Sequence, residues 1–367
     1  MKRKKVPILI SLICLALIVA VMPFVGACAP TPKIEPTPER PVEIICQLIH
    51  PRPQFLTQTV HLPYLEGFEE KSGGRIKMTV YDAGGVVDKL AVEDAVAANT
   101  LQMGYIELYA EPGRHPLGMV MSQPLIAPSS TVGSLVVWHL YEEFSECQAE
   151  YSDEIIFLSH FVSASYQFHM IDKPIKSVAD LEGLRIIGID PFALKALEGL
   201  GAIPMQVHML DSYEALDKGM ADGILCPLAP IKALKMSEVV KHHTIVNQSY
   251  TPFGIVFNRS VFDSLPKDLQ ELLIDESGAK ISEACGMGLD VGSLNDCEWM
   301  KEQGARFYSL PPAEMAKLVE IVSPLRDAWV AETEAEGLIG KKIMEEALRY
   351  SQELADKGIY IPEYPTE

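Results

Sequence analysis

From residue 42 onward the chain alternates short apolar runs of strand length with amphipathic runs of helical period, and this rhythm confines it to an α/β fold with largely parallel sheets. Residues 42–49 read as a short apolar strand. Leu62, Leu65 and Phe68 then share one helical face, and Gly73-Gly74 stops that helix because glycine accepts the left-handed backbone of a helix end. Residues 75–81 alternate, with Ile76, Met78 and Val80 on one face. A helix over 88–99 leads to a strand over 101–108. The rhythm resumes later: extended segments at 154–158 and 165–171, and a helical turn at Ser177 with Asp180 placed as in a capping box. Strands follow at 185–189, 203–209, 223–226 and 242–248, interleaved with helices at 192–200, 212–218 and 231–240. After a strand at 253–258, Pro266 sits at the first turn of a long helix, and beyond Pro312 the chain reads as almost wholly helical to about residue 357. A chain of 367 residues exceeds one simple core, which together with the repeated rhythm implies two lobes.

The first 27 residues read as an export signal. Lys2, Arg3, Lys4 and Lys5 precede an apolar run over 6–25, and Val25-Gly26-Ala27-Cys28 matches a lipobox, in which small residues admit the signal peptidase and the cysteine receives lipid. An uncleaved membrane anchor is the alternative, since the run is long enough to span. Either way the body lies outside the cytoplasm, in the periplasm or on the outer face of the cell membrane. Residues 28–41 carry prolines at 30, 32, 36, 38 and 41, the composition of an extended tether. The net charge is −19, and without the four basic N-terminal residues the body stands at −23. Phosphate backbones repel such a body, which argues against nucleic-acid binding. Beyond Cys14 and Cys28, five cysteines remain, an odd number with no CxxC spacing, so at least one thiol stays free unless it pairs between chains.

Catalytic signatures are missing. There is no GxSxG, no HExxH and no phosphate-binding glycine loop, and the glycines at 286 and 288 lie inside a helical pattern rather than after a strand. His242 and His243 are adjacent on a strand and point to opposite faces, so they cannot chelate one metal together. No cofactor is implied, and an exported enzyme is disfavoured.

Several blocks, in order, resemble the substrate-binding proteins of tripartite ATP-independent periplasmic (TRAP) transporters of the DctP type. Phe68-Glu69-Glu70-Lys71-Ser72-Gly73-Gly74-Arg75-Ile76 resembles that family's first helix, glycine stop and second strand. Asn99-Thr100-Leu101-Gln102-Met103-Gly104 resembles "GTLDMG". Lys173-Pro174-Ile175 with Asp180-Leu181-Glu182-Gly183-Leu184 resembles "KPI…DLKGL". Tyr213-Glu214-Ala215-Leu216, Gly219 and Ala221-Asp222-Gly223 resemble "YTALQTGVVDG", and Phe257-Asn258 with Leu265-Pro266 resembles "MN…W..LP". The resemblance implies a two-lobed, periplasmic-binding-protein-like (Venus flytrap) α/β fold with hinge strands and long C-terminal helices. Lobe one would comprise 42–164 and 252–292, and lobe two 165–251 and 293–357, with hinges near Ala164 and Pro252. It also implies a solute receptor that delivers a small organic compound to integral membrane transporter subunits. The alternative is a receptor of the same fold serving an ABC importer or a membrane sensor.

The family's carboxylate-clamping arginine, three residues past "DLKGL", falls on Ile187. A second arginine falls on Tyr166, an asparagine after "VDG" on Cys226, and a pocket phenylalanine on Met209. These four departures imply a solute less anionic or more apolar than is usual, such as an aromatic or branched compound. Arg185 shares the strand face of Ile187 but lies further from the strand's carboxyl end, so Arg52 or Arg114 is the alternative carboxylate partner. His50 and Tyr105, at the ends of lobe-one strands, supply further hydrogen bonds or serve plain core or surface roles.

Overall fold

The computed structural model describes residues 35–110 and 113–367. The signal segment, Cys28 and the first part of the tether lie outside the described residues. The last tether residues are folded: Thr37 and Arg40 exchange backbone hydrogen bonds of 3.2 and 2.9 Å around a turn, and Pro36 is buried.

The described strands form two mixed sheets. In the first, β1 (Val42–Gln47) pairs parallel with β2 (Ile76–Tyr81) and β3 (Met103–Glu107), while β10 (Pro252–Asn258) runs antiparallel between β3 and β4 (Ile155–Val162). The second holds β5 (Gln167–Met170), β6 (Arg185–Gly188), β7 (Ile203–Gln206), β8 (Gly223–Cys226), β9 (His242–Ile245) and β11 (Arg306–Ser309), in the order β11-β9-β5-β8-β6-β7. Each sheet contains one strand antiparallel to its neighbours, β10 in the first and β5 in the second. These are the strands entered straight after the chain passes from one sheet to the other. The remaining strands return through crossover connections and so stay parallel.

The two passages, 163–166 and 246–251, run side by side and carry buried polar side chains. Gln167 Oε1 accepts from the backbone N–H of Val246 and Asn247 at 2.6 and 2.9 Å, and its Nε2 donates to Asn247 Oδ1 and Ser165 Oγ, both at 2.7 Å. Asn247 adopts a left-handed φ of 48°, which asparagine tolerates better than most residues.

A third link is the helix Ala279–Glu302. Its first half packs on lobe one, and its last turns place Cys297 and Met300 in a lobe-two core with Ile224 and Phe307. The helix is fastened by Asp290, whose carboxylate accepts from the N–H of Ser130 and Thr131 at 2.9 Å and from Thr131 Oγ1 at 2.7 Å. These are orphan donors at the start of the helix Ser130–Glu143. Gly286 permits the close approach, because a Cβ there would lie 2.5 Å from Thr131 Cα.

The Ser177 capping box and the opposed faces of His242 and His243 are as expected from sequence. His169 Nε2–H donates to the Cys226 carbonyl at 3.0 Å, which leaves its Nδ1 to accept from His243 Nδ1–H at 2.7 Å and binds β8, β5 and β9 together. Other elements differ from the reading. The helix expected over 231–240 is Leu228–Ala233, ended by left-handed Lys235 and followed by a short turn. Pro266 caps a nine-residue helix, and the long helix starts only after Gly278, at φ 66°. The C-terminal region divides into Pro312–Ala335 and Gly340–Asp356 at Gly337, φ 83°.

Replacing Asp290 with alanine strands two buried N–H groups and a hydroxyl, so a loss of about 3 kcal/mol in urea unfolding is expected. A change below ~1 kcal/mol would show that the cap does not hold the long helix.

Candidate functional site

The carboxyl end of β3 approaches the segment just past β6, and strand carboxyl ends are where open α/β sheets hold their ligands. From the first sheet come Glu107, at the end of β3, and Tyr109. From the second comes Asp190, two residues past β6. Asp190 caps the helix Pro191–Gly199, accepting from the N–H of Phe192 and Ala193 at 2.8 Å each. The Tyr166 hydroxyl, in the first passage, meets Thr251 Oγ1, in the second passage, at 2.8 Å, and lies near enough to Asp190 to act on its carboxyl.

The electrostatics tie the two sheets together. Burial raises the Asp190 carboxyl against the opposing hydrogen bonds from Ala193, Tyr166 and Phe192. Burial also raises Glu107; Lys89, with Nζ at 3.1 Å, works the other way, and Asp190 adds to the rise. The Tyr109 hydroxyl is pushed up to about 12 by burial, then by Glu107 and Asp190. Groups of opposite lobes thus feel one another's charge. Phe192 packs against the lobe-one cluster of Ile106, Leu108 and Trp138.

The residues singled out from sequence fall into two groups and one bridge. Tyr166 is the bridge. His50, just past β1, is partly buried; its ring lies 5.4 Å from Phe253 and 5.9 Å from His61. Burial and Lys89 lower His50 to about 4. Tyr105 is fully buried with its ring 4.5 Å from His61, so His61 joins the two sequence-singled residues. Ile187, Cys226 and Met209 meet in one apolar lobe-two cluster. Cys226 Sγ donates to the Pro227 carbonyl at 3.3 Å, and all five described cysteines are free and buried.

The arginines already hold internal carboxylates. Arg52 Nε is 2.8 Å from Asp82, and Arg114 reaches Glu93 and Asp94 at 3.1 and 2.9 Å. Arg185 makes a two-point contact with Asp222, through Nε at 3.1 Å and NH2 at 2.6 Å. Sequence reasoning missed Lys89, Glu107, Tyr109, Asp190 and His61. Asp190 was findable, because an aspartate before proline at a helix start is a cap signal.

Two lobes joined by paired passages, with facing strand ends, are the arrangement of a solute-binding protein. Residues 53–333 match the model of the DctP family, bacterial extracellular solute-binding protein, family 7, and the chain belongs to that family. It is 26% identical over 184 residues to the C4-dicarboxylate-binding periplasmic protein DctP of Rhodobacter capsulatus, which covers 50% of this chain and 55% of that protein. The chain thus spans about half the length of this curated relative. Its fold is that of a TRAP solute-binding protein from Rhodoferax ferrireducens T118 in complex with copurified benzoate, with a TM-score of 0.78, 22% identity, and 86% and 99% of the two chains covered. A marine metagenome TRAP solute-binding protein specific for aromatic acid ligands, in complex with 3-hydroxybenzoate, gives a TM-score of 0.77 at 23% identity, covering 85% and 98%.

His61 is lowered well below 6.5 by burial first and His50 second. Its neutral form costs nothing above pH 6.5. As pH falls below that value, the unfolded chain binds a proton that the folded chain refuses, and stability is lost. His61→Phe removes this loss. The stability of the variant relative to wild type should rise by about 1 kcal/mol from pH 6.5 to 5.5. A gap constant over that range would contradict the neutral, buried imidazole.

Proposed function

We propose that this chain is the solute receptor of a TRAP transporter, closing its two lobes on a small organic acid and presenting the closed form to integral membrane subunits. The observation that carries the reading is the approach of Glu107 and Tyr109 to Asp190 across two polar passages, at the carboxyl ends of both sheets. In this reading 42–164 with 252–292 moves as one body against 165–251 with 293–357, and 163–166 and 246–251 are the hinges. Ligand that touches both bodies favours the closed state by its differential affinity.

The solute is an organic acid with an apolar, aromatic or branched body. Ile187 presents no guanidinium, and it packs with Met209 and Cys226 in one apolar cluster. Arg52, Arg114 and Arg185 are each paired to internal carboxylates. The structural relatives with benzoate and 3-hydroxybenzoate carry ligands of this kind. His50, Tyr105, Tyr166, Ile187, Met209 and Cys226 contribute to recognition, joined by Lys89, Glu107, Tyr109 and Asp190.

The receptor is held at the membrane by lipid on Cys28 and set off from it by the proline tether. No helix of the described residues is long and apolar enough to cross a membrane. Cys28→Ser should abolish lipid labelling and release the body from membranes; a variant that stays labelled and membrane-bound would refute the anchor. For the solute, a thermal-shift screen reads binding by mass action, with ~2.7 kcal/mol of stabilisation at 100 times Kd. Aromatic acids should raise the melting temperature more than C4-dicarboxylates or sialic acid. Strong stabilisation by those, with none by aromatic acids, would overturn the assignment.

A further inference from the structure

Five enclosed polar atoms of lobe one have no hydrogen-bond partner and belong to one neighbourhood: His50 Nδ1, Thr57 Oγ1, both ring nitrogens of His61, and the Tyr105 hydroxyl. Thr57, His61 and Tyr105 are completely buried. Single atoms without a hydrogen-bond partner also occur elsewhere in lobe one, at Glu93, His115, Gln123, Ser130 and Trp138, but here His61 alone contributes two and its ring touches those of His50 and Tyr105. Elsewhere in the same lobe Tyr64 meets Ser277 Oγ at 2.7 Å and Ser159 meets Ser282 at 2.8 Å. An orphaned buried polar atom costs about 1–3 kcal/mol, so several together mark a place where a partner enters.

The backbone is shaped for it. Residues Thr57–His61 form a wide π-turn closed by Leu62 N–H on the Thr57 carbonyl, directly before the helix Leu62–Lys71. Pro63 has no N–H to give the preceding turn, which disfavours a regular helical ladder there. The turn directs Thr57 and His61 inward together, and His61 stands 4.5 Å from Tyr105 and 5.7 Å from Phe161, ring to ring. The neighbourhood is linked to the interlobe side: partly buried His50 feels Lys89, Lys89 pairs with Glu107, and Glu107 feels Asp190.

We propose that His50, Thr57, His61 and Tyr105 form a neutral recognition pocket that takes an uncharged hydroxyl carried on an aromatic solute. The inference rests on the interlobe organic-acid site and specifies what that site selects. Burial keeps both imidazoles uncharged at neutral pH, with His50 lowered to about 4. A carboxylate entering the pocket would lose its hydration, and the nearby cation, Lys89, is already paired with Glu107. A hydroxyl donates to one ring nitrogen and accepts from a neighbouring O–H or N–H, which suits a set of neutral donor–acceptors. The aryl body stacks or meets edge-on the rings of Tyr105, Phe161 and Phe253.

Calorimetry with benzoate, 3-hydroxybenzoate and phenol tests this on the wild type, Tyr105→Phe and Thr57→Val. Tyr105→Phe keeps the ring and deletes only an unpartnered hydroxyl, and Thr57→Val replaces an unpartnered hydroxyl with a methyl. Wild type should bind 3-hydroxybenzoate about tenfold or more tighter than benzoate, and the ratio should fall to about threefold or less in at least one folded variant. If the two acids bind wild type equally, or the ratio is unchanged in both variants, the pocket holds only ordered water and the proposal fails while the organic-acid reading survives. Binding of phenol alone, lost in the variants, would uphold the pocket and overturn the organic-acid reading. Failure of all three probes to bind overturns both.

Discussion

The architecture depends on the side-chain amide of Gln167. One amide group satisfies the backbone of the opposite passage through Val246 and Asn247, and ties Asn247 and Ser165 to each other. The backbones are laced as well: Ser163 N–H to the Thr251 carbonyl at 2.7 Å, Tyr166 N–H to Ser249 and Gln248 N–H to Tyr166, both at 3.0 Å. A chain that crosses twice between two sheets leaves polar backbone without a sheet to complete it, and buried donors must be paired. Here the pairing is made across the crossings themselves. The two segments therefore form a narrow hydrogen-bonded ribbon between the two sheets.

The other interlobe links complement that ribbon. Asp290 and Gly286 fix the helix Ala279–Glu302 to the start of the helix Ser130–Glu143, on the lobe-one side. The C-terminal segment reaches across as well: the Tyr360 carbonyl accepts from Ser129 Oγ at 2.9 Å, and Glu367 N–H donates to the Phe307 carbonyl at 2.8 Å, at the edge strand of the second sheet. Between them, half-buried Tyr364 has its hydroxyl raised by its surroundings, next to Asp290, Ser293 and Ser165. The tail adds apolar packing to these polar bonds, with Ile359 against the cluster of Val132 and Ile343 and Tyr364 against that of Ile224 and Phe307.

Much of the fold was legible because periodicity and punctuation agree. Alternation fixed β2, the Ser177–Asp180 pair fixed its turn, and the family blocks ordered the second sheet. The helix Ser130–Glu143 went unread because its residues are buried on nearly every side, between β4 and the long helix, and so show no polar stripe. The edge strand β11 is only four residues long and is held in place by pairing with β9 and by the tail, neither of which is local information. At the site, the positions aligned with known pocket residues were legible only by resemblance. Lys89, Glu107 and Asp190 act on one another from distant parts of the chain, and His61 reads in sequence as one more residue beside a helix start. The orphaned atoms around it become visible only when burial and partners are known.

The central claim is that two lobes close on a solute about the paired passages. Small-angle X-ray scattering on the purified chain, with and without saturating amounts of the acid giving the largest thermal shift, tests it directly. The account predicts a smaller radius of gyration in the bound state. An unchanged radius at demonstrated saturation would contradict closure about the Gln167–Asn247 ribbon.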